Sequence, residues 1–307
     1  MKSILKQVDN YLFDLNAYSH GDHSQLLLGK NGKNSPFEYI TKCISVYQAN
    51  EIIQLIKNEI NLAQNYKSTN CIVIYKEAKR TTSNLYLIYK FFDSYSLREL
   101  ISHPPPDFKS NDWINLALNI AKLLNQLHMF KLIHRNLNPS HILVSKDFKK
   151  ILLCGVKSIY DFNQGYTSEM IGAYPYMAPE IVHAAVLEQK YDEKVDIYSF
   201  GVILSQLFTG NPNLTEAPGD IAKIKGISKR MKDLISNCLN VDPSKRISSS
   251  EIINSEYYKS DEEMQIPILP PNQEFDLEKV IRKKDNLYPY KKSKVPVEKQ
   301  EGSEEKK

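Results

Sequence analysis

Apolar positions change their spacing several times along the chain. Between about Tyr11 and Tyr89 they fall in short runs rich in β-branched and aromatic residues, such as Ile72–Tyr75 and Leu85–Phe92, and these predict strands. One stretch interrupts them: in residues 49–66 the positions Ile52, Ile53, Leu55, Ile56, Ile60 and Leu62 form a helical stripe. Three prolines follow His103. Residues 112–130 are then apolar on most faces, which predicts a buried helix with Asp112 as its cap. Residues 131–155 read as short strands around turns, with Lys146–Lys150 suited to a hairpin loop. From Asp196 onward helices dominate. The first ends at Thr209-Gly210, where glycine fits a helix C-cap, and two more are split at Asp242-Pro243, the second starting within Ser248–Ser250. Beyond about Ser260 the periodicity collapses into proline, lysine and glutamate clusters, with at most a short helix at Glu274–Arg282. A small β-rich part followed by a larger helical part is an α+β layout, with a boundary near Lys90.

The chain has 307 residues, which admits one bilobal domain or two small ones. Its 42% apolar and 25% charged residues are ordinary for a globular protein, and no run of about 18 apolar residues predicts a membrane span. The start lacks the uninterrupted apolar core of a secretory leader. Four scattered cysteines without a C-x-x-C spacing fit reduced thiols, and an intracellular, cytoplasmic location is expected. Lys and Arg exceed Asp and Glu by four, and the segment from Arg282 to Lys307 carries that whole excess. The body is therefore balanced, which argues against a nucleic-acid-binding core.

Four ordered motifs sharpen the picture. HRNLNPSHILV at 134–144 resembles the protein-kinase catalytic loop H-R-D-L-x-x-x-N. YMAPEI at 176–181 resembles the A-P-E segment, VDIYSFGVIL at 195–204 the buried helix that follows, and CLNVDPSKR at 238–246 the terminal arginine motif. The resemblance to the protein-kinase-like superfamily covers about residues 11–259 and implies its bilobal fold: a β-rich N-lobe over 11–89, a mainly helical C-lobe over 90–259, and a charged tail over 260–307. CLNVDPSKR and DIYSFG lean toward the tyrosine-kinase-like group.

Kinase chemistry rests on positioning and charge, and the resemblance assigns each part a position here. The catalytic base falls at Asn136, a neutral amide that orients a hydroxyl but takes no proton. The loop lysine falls at Asn138, and the metal-binding Asn falls at His141, whose imidazole is a poor magnesium ligand. The D-F-G segment falls on Leu153, Cys154 and Gly155, which puts Leu153 in the place of the metal-holding Asp. A nearby Asp161-Phe162 lies twenty residues past His141, where the family needs about thirteen. The Gly-rich loop aligns on 19–26 and keeps only Gly21. Lys42 fits the phosphate-pairing lysine and Glu59 its helix partner. Ile40 and Tyr89 narrow the adenine slot, while Leu26 and Leu143 offer apolar faces to a purine. The fold-holding residues are kept: His134, Arg135, Asp196, and a Glu180–Arg246 pair.

Groups that hold the fold remain and groups that do the chemistry do not. The pattern implies a pseudokinase that scaffolds or allosterically controls a signalling partner such as an active kinase. No metal site is expected, and no cofactor beyond weak, metal-independent ATP. The alternative is an atypical ATP-dependent protein kinase or other nucleotide-dependent transferase, for which Asp161 is the nearest spare carboxylate. A membrane-tethered adaptor using the lysine-rich tail finds no lipidation motif, since the sequence ends EEKK.

Overall fold

The computed structural model describes residues 4–16, 19–21, 24–66, 69–106, 108–187, 189–211, 221 and 227–258. The tail from 260 and its expected helix lie outside the described residues. Strands β1 (Leu5–Val8), β2 (Tyr11–Asp14), β3 (Ser19–Gly21), β4 (Ser24–Lys30), β5 (Tyr39–Ser45), β6 (Tyr75–Arg80) and β7 (Asn84–Lys90) form one antiparallel sheet, in the order β1-β2-β4-β5-β7-β6 with β3 also on β4. One face of this sheet stacks Tyr11, Phe13 and Tyr86 in near-parallel rings. Gly29 lets that stack close, because a Cβ there would meet the Phe13 ring at 2.7 Å.

The expected helix after β5 is two helices, α1 (Val46–Glu51) and α2 (Ile53–Asn65), separated at Ile52, whose φ of −113° leaves the helical region. The strand expected at Ile72–Tyr75 is also displaced: β6 begins only at Tyr75. Residues 71–73 instead cross beneath the sheet and bond to Leu153, whose N–H donates to the Cys71 carbonyl and whose carbonyl accepts from Val73. An apolar run looks the same to either partner, so periodicity alone cannot separate them.

β7 leads through β8 (Ser94–Ser96) into α3 (Leu97–Ser102), which is started by a capping box between Ser96 and Glu99. Helix α4 (Ser110–Met129) begins two residues before the expected cap. Asp112 sits in its first turn and its carboxylate accepts from the Lys109 N–H at 2.7 Å, so it closes the helix start from inside. Small strands β9 (Leu132–Ile133), β10 (Ile142–Ser145), β11 (Ile151–Leu153) and β12 (Tyr160–Asp161) follow. β10 and β11 form the hairpin, and β12 pairs with β9.

Helices α5 (Pro179–Leu187), α6 (Lys194–Thr209), α7 (Lys229–Cys238) and α8 (Ser249–Asn254) complete the larger lobe. Helix α6 is apolar all round and is buried from Val195 to Phe208. It stops at Gly210, whose φ of 66° is left-handed. Gly201 sets how close α7 comes, since a Cβ there would lie 2.8 Å from Cys238 Cβ. Arg246, with its side chain wholly buried, makes a two-pronged pair with Glu180 and also donates to the carbonyls of Asn240 and Lys194. This guanidinium ties α5, α6 and the segment after α7 together, and its charge is compensated where water is excluded. Among the described residues no helix is long and apolar enough to cross a membrane.

Candidate functional site

The cleft between the lobes is built on three sides by backbone that the sequence holds in place. Strand β5 supplies Lys42, whose Nζ lies 2.7 Å from Glu59 Oε2 on α2. The other oxygen, Oε1, accepts from the Tyr89 hydroxyl at 2.5 Å. Glu59 is buried, and each of its oxygens is engaged, one by a cation and one by a phenol. Burial first, and the Glu59 charge second, push the Tyr89 hydroxyl well above its ordinary pKa, so it stays a donor. Tyr89 pairs across the sheet with Ile40 and packs edge-on against Tyr75 at 5.6 Å between centroids. Leu26 stands opposite Lys42 on β4 and is half-buried, as is Leu143 on β10. Gly21 closes β3 opposite Ser24, and the two residues between them lie outside the described residues.

The loop from His134 to His141 rests on one carboxylate. Asp196, fully buried on α6, accepts the His134 N–H at 2.7 Å and the Arg135 N–H at 2.9 Å. His128 Nε2 lies 3.2 Å from the same carboxylate. This anchor holds Arg135 at φ 63°, a left-handed conformation that a side chain rarely adopts. His134 points its Nε2 at the Cys154 carbonyl at 2.9 Å, and its Nδ1 is buried with no hydrogen-bond partner among the described residues.

Asn136, Asn138 and His141 bond to one another. His141 Nδ1 donates to the Asn136 carbonyl at 2.8 Å, and Asn138 Nδ2 donates to the same carbonyl at 3.0 Å. The Asn138 Oδ1 takes the Ser140 N–H at 3.0 Å. Burial, with the neighbouring His134 second, lowers the His141 pKa to about 4, so the ring is neutral at physiological pH. The ring packs over Gly155, where a Cβ would meet it at 3.0 Å and where φ is 76°.

Leu153, expected in the place of the metal-holding Asp, has no surface exposed to the cleft. Leu153 is the last residue of β11, wholly buried, with its N–H and carbonyl bonded to Cys71 and Val73. Such a residue is core. The first residue past the strand is Cys154, thirteen beyond His141, whose carbonyl faces His134 and whose N–H donates to the His141 carbonyl. Cys154 keeps part of its surface exposed, yet burial pushes its thiol up to about 12, so it is not a thiolate at neutral pH. The spacing from His141 carried this signal. Gly155 masks that signal, because it sits where a D-F-G glycine would if Leu153 began the motif.

Asp161 has other work. Its Oδ2 accepts from the Tyr66 hydroxyl at 2.8 Å, and its Oδ1 takes the N–H and the side-chain amide of Asn163. It links the end of α2 to the segment after β11, a contact that sequence reasoning missed because the partners are 95 residues apart. Arg135 organises the same segment. Its Nε donates to the Ser158 carbonyl at 2.7 Å, its Nη1 lies 2.6 Å from Glu169, and its guanidinium lies 5.0 Å from the Tyr160 ring centre.

The edge of the cleft thus offers an amide at 136, a neutral imidazole at 141 and a neutral thiol at 154. Magnesium takes hard oxygen ligands, usually carboxylates with phosphate oxygens. This donor set does not fit it.

A family model described as protein kinase domain matches residues 20–258. Serine/threonine-protein kinase pakF of Dictyostelium discoideum is 27% identical over 271 residues, covering 81% of this chain and 23% of that protein. Serine/threonine-protein kinase pakG of the same organism is 26% identical over 266 residues, covering 82% and 22%. Serine/threonine-protein kinase STY17 of Arabidopsis thaliana is 25% identical over 216 residues, covering 66% and 37%. The chain spans well under half the length of each.

Proposed function

The chain belongs to the protein kinase domain family, and on that premise we propose that it is a pseudokinase, a kinase fold that binds and regulates a signalling protein without transferring phosphate. The observation that carries this reading is the group of Asn136, His141 and Cys154. Three positions where the family uses an acidic base, a metal-binding amide and a metal-binding carboxylate hold groups that neither accept a proton at neutral pH nor supply a carboxylate oxygen. The substitutions at 136 and 154 remove a negative charge each, and the one at 141 removes an amide oxygen that would hold the metal, so the electrostatic support of the transition state is lost. The carboxyl groups that remain nearby are engaged in the fold: Glu59 by Lys42 and Tyr89, Asp161 by Tyr66 and Asn163, Asp196 by two backbone amides.

One observation favours a second reading, an atypical nucleotide-dependent transferase. Lys42 and Glu59 stand 2.7 Å apart, as a phosphate-pairing lysine requires. The same pair also docks α2 on the sheet without any nucleotide, and Tyr89 completes that docking, so the contact supports both readings.

Purified protein incubated with ATP, magnesium or manganese and generic substrates is expected to incorporate no phosphate above background. Incorporation abolished by Lys42→Ala would overturn the proposal. Nucleotide binding is expected to be weak and independent of metal, or absent. A thermal-shift titration reads this directly, since a micromolar site at millimolar ATP would stabilise the fold by roughly 4 kcal/mol. A large shift seen only with magnesium would mean that the cleft rebuilds a metal site.

A further inference from the structure

On the far side of the hairpin, an open groove of about 420 Å³ runs between helix α4 and the β10–β11 loop. Lys122 stands on the helix wall, and Lys149 and Lys150 on the hairpin wall. Among the described residues no Asp or Glu lines it. Elsewhere on the body, Lys42, Lys79, Lys146, Lys245, Arg135 and Arg246 all have carboxylate partners. Among the described residues, none of the three groove lysines is in an ion pair. Lys150 has only the Phe92 ring, 6.0 Å away. The nearest acid on the hairpin, Asp147, is turned into its own loop, where Oδ1 accepts from Ser145 and from the Lys149 N–H. Other described lysines, Lys57 among them, also stand outside ion pairs, but here three share one groove, which makes a local cationic field.

The floor and the rim say what kind of anion fits. Buried Leu123 and Ile151 form an apolar floor between the two charged walls. Asn70 and Asn119 present primary amides at the rim, each able to donate and accept along a peptide backbone. Gln126 fastens the helix wall to the loop before β6 through a 2.6 Å bond to the Thr69 carbonyl. A single phosphate would need donors converging on a point, whereas these lysines flank a trough. An extended chain with alternating acidic and apolar side chains matches charge, floor and amides together.

We propose that this groove docks an acidic–apolar peptide segment of a partner protein. The chain's own residues 282–307 are a poor occupant, because they carry the excess positive charge; residues 261–281, with six Asp and Glu against one Lys, are the competing occupant that the cross-linking test below separates from a partner segment. The proposal stands whether or not the cleft transfers phosphate, and its test does not involve the cleft.

The probe is a fluorescein-labelled octapeptide, Glu-Leu-Glu-Leu-Glu-Leu-Glu-Glu, titrated with the full chain and followed by anisotropy. Saturable binding at low salt that weakens as salt is raised is expected, unchanged by magnesium-ATP. Lys122→Glu with Lys149→Glu should raise Kd at least tenfold. Lys57→Glu, at an exposed site on α2, should leave it unchanged. Lys122→Ala with Lys149→Ala gives the same ordering with a smaller change, should the double reversal fold poorly. Three results would overturn the proposal: no binding at 100 μM protein, equal displacement of the peptide by pyrophosphate or a duplex oligonucleotide, or carbodiimide cross-links within one chain from Lys122 or Lys149 to carboxylates of residues 259–307. The second marks a general anion patch and the third an internal occupant.

Discussion

Replacing Asp196 by alanine should unfold the larger lobe more readily than any change in the cleft itself. The carboxylate is fully buried and receives two backbone N–H groups, from His134 at 2.7 Å and Arg135 at 2.9 Å. Hydrogen bonds to a charged acceptor contribute about 1.5–3 kcal/mol each, and buried donors left unpaired keep their desolvation cost. Removal of a buried charge recovers part of its own desolvation, and neighbouring terms do not add fully. The net loss is therefore about 3–5 kcal/mol, a large share of the roughly 5–15 kcal/mol by which domains are stable. Arg135 adds to it, since its left-handed backbone at φ 63° is retained only while the anchor holds it. The chain has a single tryptophan, Trp113, buried in α4 and packed edge-on against Phe108 at 4.7 Å, so its fluorescence reports this lobe alone. With a urea slope of about 3 kcal/mol per molar, the midpoint should fall by roughly 1–1.7 M. Asp196→Asn keeps one acceptor and turns a donor toward the other N–H, so it should fall between wild type and alanine. A midpoint shift for Asp196→Ala worth less than about 1 kcal/mol would refute the idea that this carboxylate carries the loop.

Tyr89→Phe removes the hydroxyl from buried Glu59 and should cost about 1.5–3 kcal/mol in the same urea assay, with ATP response unchanged. His141 is held neutral with a pKa of about 4 against an ordinary 6.5, so the unfolded chain binds the extra proton between those values. Its stabilising contribution is complete above pH 6.5 and is lost as pH falls toward 4, at most about 3 kcal/mol, and His141→Asn should flatten the Tm profile across that window. His134 is lowered in the same direction by burial, so some slope remains in the variant. Cys154, with its thiol near 12, should react with iodoacetamide at pH 8 roughly a thousandfold more slowly than an ordinary exposed cysteine, measured by mass spectrometry of the native protein.

The periodic parts of the sequence were the legible ones. Helix α6 ends at Gly210, as the Thr209-Gly210 step signalled, and its burial is what the resemblance of residues 195–204 to the family motif implied. The Lys42–Glu59 and Glu180–Arg246 pairs followed from motif positions, because the motifs fix which element each residue rides on. Contacts between distant segments were not legible. The crossing of residues 71–73 onto Leu153 turned an expected strand into a bridge between lobes, and the same crossing buried the residue expected to face the cleft. Tyr66 and Asp161 lie 95 residues apart and have nothing in their local sequence to join them. Asp112 illustrates a milder failure: the residue type signalled a helix start, but acidic residues serve there both at the cap and three positions inside it.

The clasp on Glu59 has a mechanical consequence. Helix α2 is held to the sheet at one carboxylate by two elements, β5 through Lys42 and β7 through Tyr89, and at its far end by the Tyr66–Asp161 bond. To swing outward it would have to break all three and strand a buried negative charge on the way. The outer side of these helices exposes Tyr47, Ile53 and Leu55. A protein that meets this face meets a surface already set in its final shape, so recognition there loses little to rearrangement, and neither occupancy nor emptiness of the cleft needs to be felt by whatever sits on it.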